Sequence, residues 1–246
     1  FTGGRKFLVP GVSGYETIEH NHMYALSENA QPLKLKGNPV HEDMMSALNL
    51  LNRFNDIYSI MTVITEDKRI YYAASGHINN SFFFLTKVSE EIYSTKISEK
   101  ADIVIAIVGS PFDISLYQSQ KAIEHAKLAL RGNGILILVS ECRDGIGPRH
   151  FYDLMASCKS PDEIIERVKE NYKLGYHKAA RLASLLKWAE IWMVSSIKPE
   201  VLSKVFIKSY SDLQNAIYDA IKLKGNDASI LVIYDASLTI PKVNDG

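Results

Sequence analysis

The chain has 246 residues, 46% hydrophobic and 23% charged, and its 28 basic residues balance 28 acidic ones. That length suits one large or two modest domains with their own cores, and zero net charge excludes a general attraction to nucleic acid or to an anionic membrane. No apolar run approaches the roughly 20 residues needed to cross a bilayer, so neither nucleic acid nor a membrane is expected as a partner.

The chain opens FTGGRKFLVPGVSGYETIEHNH, a glycine-rich loop followed by YETIEHNHMYAL, which reads as a short helix. A better-signalled helix is NPVHEDMMSALNLLNRF: Asn38 can cap it, Pro39 suits the first helical position, and Met44, Leu48 and Leu51 recur on one face. IYSIMTVIT and IYYAASG flank the polar TEDKR and predict a hairpin or meander. NNSFFFLTKVSEEIYSTKI predicts one further helix.

The rhythm changes after residue 97. DIVIAIVG, GILILVSE, EIWMVSS and ASILVIYD are short apolar runs bounded by turn residues, the pattern of buried parallel strands. Helical stretches alternate with them: YQSQKAIEHAKLAL, SPDEIIERVKENY, HKAARLASLLKWA and SDLQNAIYDAIKLK. Ser160 to Glu163 has the form of a capping box. The expected fold is α/β: a Rossmann-like parallel-sheet domain over 98–235, preceded by part of a second α/β domain over 1–97. SLTIPKV, within 236–246, is a poor continuation of a buried strand and could return to the first domain. Cys142 and Cys158 fall in a loop and a helix end, as reduced thiols of a cytoplasmic protein would.

Ligands of open parallel sheets gather beyond the carboxyl ends of the strands. DIVIAIVG runs into SPFDISLYQSQK, placing Tyr117, Gln118 and Lys121 at the start of a helix, with Gln118 and Lys121 on one face by their spacing. GILILVSE runs into CRDGIGPRHF, with Gly145 and Gly147 ahead of another helix start. Neither loop is a GxGxxG or a P-loop, so a nucleotide site has little motif support. Both read equally well as plain crossover turns.

In the opening segment, Gly3 and Gly4 permit close backbone approach. Lys6 could pair with an anion, act as a nucleophile if its pKa is lowered, or simply stay solvated. His20 and His22, two apart on a helix, point in different directions and cannot both face one metal comfortably. His41, His77, His125 and His150 read as structural or exposed.

GGRK with PGVSG and then HNH, the later SPFDISLYQSQK, and GYHKAARLASLLKWAEIWMVS occur in an order that resembles the nickel-dependent lactate racemases and related 2-hydroxyacid racemases and epimerases. The resemblance spans almost the whole chain. It implies a nickel pincer mononucleotide, a pyridinium thioamide/thiocarboxylate nickel complex, joined through the lysine of the GGxK segment, here Lys6. It also implies a histidine sixteen residues further on as a nickel ligand, which points to His22, and a YQxxK pattern contacting substrate, which points to Tyr117, Gln118 and Lys121. The implied reaction is reversible hydride transfer: a base takes the hydroxyl proton of a small 2-hydroxy acid, the Cα hydride leaves to give a planar 2-keto acid, and return to the other face inverts the centre.

The resemblance places the acid/base histidines upstream of the GGxK segment. The sequence therefore reads as the C-terminal portion of a racemase-like protein, dependent on an upstream segment and inactive alone. His177 stands where lactate-specific members carry an aromatic residue, so the substrate is open among 2-hydroxy acids. Two other readings compete: a non-catalytic α/β ligand-binding module of the same fold, and an enzyme using the Rossmann-like part for a nucleotide. Only the racemase reading predicts nickel and a pincer chromophore.

Overall fold

The computed structural model describes residues 1–54 and 56–244. It divides into two compact units, Phe1–Ser94 and Thr95–Gly246.

The first unit opens with a 3-10 turn, Gly4–Phe7, and helix α1, Tyr15–Met23, which runs on into a 3-10 turn at Tyr24–Leu26. Helix α2, Pro39–Asn52, starts as its sequence dictates: the Asn38 side chain accepts from the Val40 N–H at 3.1 Å, and proline occupies the first turn. Its buried stripe is His41, Met44 and Leu48; Leu51, expected on that face, lies in the last turn and is 45% exposed. The stripe stops one turn short because Leu50, Leu51 and Phe54 all remain on the outside.

Strands β1, Tyr58–Ile64, and β2, Ile70–His77, form an antiparallel hairpin, the first of the two arrangements expected. Alternation along β1 buries Met61 and Val63, which pack against Phe82 and Leu85 of helix α3, Ile78–Tyr93. The His77 imidazole caps α3 by accepting from the Asn79 N–H at 3.4 Å. The single helix expected through STKI ends at Tyr93. Ser94–Ile97, carrying the β-branched Thr95 and Ile97, form strand β3 instead, and their partner is a strand at the far end of the chain.

The second unit is built on a five-stranded parallel sheet. In chain order its elements are β4, Ala101–Ile107; α4, Leu116–Ala126; β5, Leu130–Val139; α5, Arg149–Ala156; α6, Pro161–Glu170; α7, Tyr176–Leu186; β6, Glu190–Val194; α8, Pro199–Ser203; β7, Lys208–Tyr210; α9, Leu213–Lys224; and β8, Ile230–Ile233. The last strand, β9, Ile240–Val243, pairs with β3. The sheet order is β7-β6-β5-β4-β8, every neighbour parallel. The chain starts at β4, builds outward three strands to one side, and then returns to the other side, so the order reverses beside β4. That reversal opens a crevice at the carboxyl ends of the strands, the usual ligand position in such sheets.

Both sheet faces are covered. Ile103, Ile105, Ile135, Ile137 and Trp192 pack with Ala216 and Ala220 of α9, while the alternating Val104, Ala106, Leu136, Leu138 and Met193 are fully buried. Helix starts follow the capping signals. Ser115 Oγ accepts from Gln118 N–H, Ser160 Oγ from Glu163 N–H, and an Asp212 carboxylate oxygen from Asn215 N–H. At α6 the Glu163 carboxylate reaches past the cap residue and accepts from the Lys159 N–H at 2.7 Å, a variant of the expected box.

Candidate functional site

Lys6 sits in the opening 3-10 turn, and the turn is braced from below by its neighbour. Arg5 is only 5% exposed. Its Nε donates to His41 Nδ1 at 3.0 Å, its terminal nitrogens donate to the Phe1 and Gly3 carbonyls, and its guanidinium lies 4.3 Å from the Phe82 ring centroid. Gly4 is the tight point. At φ 54°, a Cβ there would lie 2.7 Å from the Phe82 ring, so only glycine lets this backbone rest on the hairpin–α3 core. Burial lowers the Arg5 pKa to about 10. Burial, then the Arg5 charge, also lowers the pKa of Lys6, which makes its amine a better nucleophile near neutrality.

His22 lies on α1, whose Asn21 ties it to α2 by donating to the Val40 carbonyl and to Asp43 Oδ2. His22 Nδ1 is 2.8 Å from the Ile18 carbonyl, a contact that requires Nδ1–H and so leaves the ring lone pair on Nε2. Burial lowers the His22 pKa, the Ile18 bond opposes that, and the Lys6 charge adds to the lowering. Lys6 and His22 are thus within electrostatic reach of each other. His20 is turned elsewhere, with Nε2 3.1 Å from the Tyr24 hydroxyl. His41 and His125 are buried structural groups. Arg5 donates to the first, the second sits 2.9 Å from the Ala236 carbonyl, and burial pushes each down to about 4.

In the second unit, Tyr117, Gln118 and Lys121 lie on the first two turns of α4, directly after the loop that leaves β4. That loop and the one after β5 are zipped together: Cys142 N–H donates to the Asp113 carbonyl, Asp144 N–H to Ile114, Leu116 N–H to Gly145, and Tyr117 N–H to Ile146. Gly147, at φ 111°, presses so close that a Cβ would lie 2.5 Å from Tyr117 Cβ. Gln118 and Lys121 are exposed and Tyr117 is half-buried. Lys121 Nζ is 4.7 Å from the Phe112 ring centroid. The Tyr117 ring meets Phe151 edge-on at 5.4 Å, and burial raises its phenol pKa. A cationic side chain, an amide and a phenol on the opening turns of one helix can together hold a small carboxylate.

Two further groups here are not among the candidate residues of the sequence, which reads His150 as structural or exposed and assigns Lys178 no role. Lys178 on α7 packs on Tyr117, and His150 at the start of α5 comes near the Tyr117 hydroxyl at Gly175. Lys178 lies in GYHKAARL and His150 in GPRHF, but neither stretch shows these contacts, because each joins residues far apart in the chain. His177 makes a 2.9 Å contact with the Tyr172 hydroxyl. Cys142 and Cys158 are buried free thiols, each raised by burial. Among the described residues no three His, Cys, Asp or Glu side chains gather as a metal site, and no helix is long and apolar enough to cross a membrane.

Residues 96–240 match the family model described as the lactate racemase C-terminal domain, and residues 1–33 match that of the lactate racemase N-terminal domain. The chain is 30% identical over 243 residues to a lactate racemase of Thermoanaerobacterium thermosaccharolyticum, covering 96% of this chain and 56% of that protein. It is 27% identical over 250 residues to one of Lactiplantibacillus plantarum, covering 98% and 58%. The structure of the Thermoanaerobacterium lactate racemase apoprotein superposes with a TM-score of 0.91 at 29% identity, over 98% of this chain and 59% of that one. A crystal structure of a Thermotoga maritima protein shares the fold at 13% identity, with a TM-score of 0.71 over 98% of this chain and 63% of that one. The chain therefore spans somewhat over half the length of the relatives it matches.

Proposed function

The chain belongs to the lactate racemase family, and from that premise we propose that it forms the cofactor-attachment and substrate-binding portions of a 2-hydroxyacid racemase or epimerase that uses a nickel pincer mononucleotide. The observation that carries the reading is the pairing of Lys6 with His22. One is a braced lysine whose pKa is lowered by burial; the other is an imidazole whose tautomer is set by the Ile18 carbonyl.

Both residues fit such a group. The Lys6 amine would hold it covalently, and His22 Nε2 is the kind of nitrogen donor nickel takes beside sulfur. The Ile18 contact is the second bond that usually orients a ligating histidine. When bound, the cofactor supplies an acceptor for the Cα hydride of the substrate. The chain's own work is binding and orientation: the Lys121 ammonium and the Tyr117 hydroxyl hold carboxylate or developing oxyanion charge, and Gln118 offers an amide to the same end. Proton transfer belongs to the acid/base histidines that the resemblance implies, in a protein of the relatives' length. The buried, unpaired thiols suit the reducing cytoplasm.

The test is racemisation of lactate and a panel of 2-hydroxy acids by a protein of the relatives' length loaded with the cofactor. Turnover of at least one acid is expected, with Lys121→Met impairing turnover more than bound nickel. The 246 residues alone are expected to turn over none at a useful rate. Ligand binding without interconversion of any enantiomer would instead establish the binding-module reading.

A further inference from the structure

Helices α4 and α7 meet around one lysine. Lys178 Nζ donates to the Tyr117 carbonyl at 2.6 Å and lies 3.8 Å from the centroid of the Tyr117 ring. Its own carbonyl accepts from Gln120 Nε2 at 3.3 Å, and Arg181 of α7 pairs with Glu124 of α4, so Lys178 is one of several ties between the two helices. The carboxylate whose charge acts on Lys178 is Glu124, but Glu124 is already engaged by Lys127 at 2.7 Å and by Arg181. The ammonium has therefore been taken out of water mainly for a carbonyl and an aromatic face. Packing alone gives no reason for that, since an apolar side chain of similar length fills such a position at lower desolvation cost. Beyond Tyr117, the position a Gly175 Cβ would occupy is 3.2 Å from the Tyr117 hydroxyl and 2.9 Å from His150 Nε2.

We propose that Lys178 is a positioning residue for the reaction: it clamps the opening turn of α4 through the Tyr117 carbonyl and covers the Tyr117 ring, holding the phenol hydroxyl in its place above Gly175. The proposal rests on the reading of Tyr117 as a substrate-binding group. A cation on the ring face also withdraws electron density from the phenol and makes its O–H a stronger donor to a carboxylate or oxyanion. The groups that bear on Lys178 are Tyr117 and Glu124 of α4, the carboxylate being shared with Lys127 and Arg181, while α5 brings His150 to the far end of the phenol. Burial lowers the Lys178 pKa to about 8, so the clamp releases as its charge is lost above that pH.

The test has two arms. In the chain itself, labelled with tyrosine carrying ¹³C at the ring, the Tyr117 signal is identified by its disappearance in Tyr117→Phe. It should show an inflection near pH 8, well below phenol ionisation, that is absent in Lys178→Met and in Lys178→Arg, whose charge does not titrate there. In the loaded holoenzyme, Lys178→Met should raise KM for the 2-hydroxy acid about tenfold with a smaller change in kcat. Lys178→Arg should recover part of that loss, and Lys178→Met added to Tyr117→Phe should cost less than about twofold more. A flat Tyr117 signal through pH 8 overturns the clamp, even if the variants do not fold. So does a Lys178→Met effect that multiplies in full with that of Tyr117→Phe. If the wild-type holoenzyme turns over no 2-hydroxy acid, the functional reading falls, and the Tyr117 titration still decides whether Lys178 holds the ring.

Discussion

In the second unit the strands β4, β5 and β6 are sealed on both sides, Ile105, Ile137 and Trp192 under one layer and Ala106, Leu138 and Met193 under the other. In the first unit strand β1 seals Met61 and Val63 but leaves Tyr58, Ile60 and Ile64 outside, and Ile60 is 80% exposed. The difference sets how each candidate site is held. Tyr117, Gln118 and Lys121 stand on a helix anchored to a sheet covered on both faces. Lys6 stands on a four-residue turn whose support is Arg5, its acceptors and the Phe82 ring.

Core substitutions break this comparison most sharply. Ile137→Ala in the doubly covered sheet should cost about 2–5 kcal/mol, read as a fall in the denaturation midpoint followed by signals of the second unit. Less costly is Gly4→Ala, which forces a Cβ into the Phe82 ring at a positive φ and should cost about 1–3 kcal/mol. Its distinguishing readout is the reactivity of the Lys6 amine toward an acylating reagent, which should change with the turn while Tyr117 titrates as before.

Acid should act on both units alike, through one buried histidine in each. The folded-state pKa of His41 and of His125, about 4, lies below the ordinary 6.5, so between those values the unfolded chain binds more protons. The stability each provides is complete above pH 6.5 and is lost as pH falls toward 4. His41→Gln should flatten that loss in signals of the first unit and His125→Gln in those of the second. Equal slopes in wild type and both variants would show that these imidazoles carry no such linkage. The smallest effect is expected at Ile60→Ala, within about 0.5 kcal/mol.

The same contrast explains what could be read in advance. DIVIAIVG and GILILVSE were legible as parallel strands because burial on both faces leaves no polar alternation to confuse. Caps at Asn38 and Ser160 were legible because each signal and its partner lie within four residues. STKI was not, since its strand identity depends on pairing with Ile240–Val243 across most of the chain. Nor was the KSY strand, too short at three residues to show a period. At the candidate site, spacing and resemblance singled out Lys6, His22, Tyr117, Gln118 and Lys121. The Arg5–His41 brace and the Lys178–Tyr117 contact stayed hidden, because an arginine buried under a glycine turn and a lysine on a tyrosine face leave no local pattern.

The central claim is that Lys6 carries the cofactor beside His22. It is tested most directly by peptide mass mapping of the active protein, purified with its cofactor, alongside Lys6→Ala and His22→Ala. The account predicts an added mass on the peptide containing Lys6, absent from Lys6→Ala, with the mass retained but bound nickel sharply reduced in His22→Ala. Full racemase activity with an unmodified Lys6 peptide would contradict it.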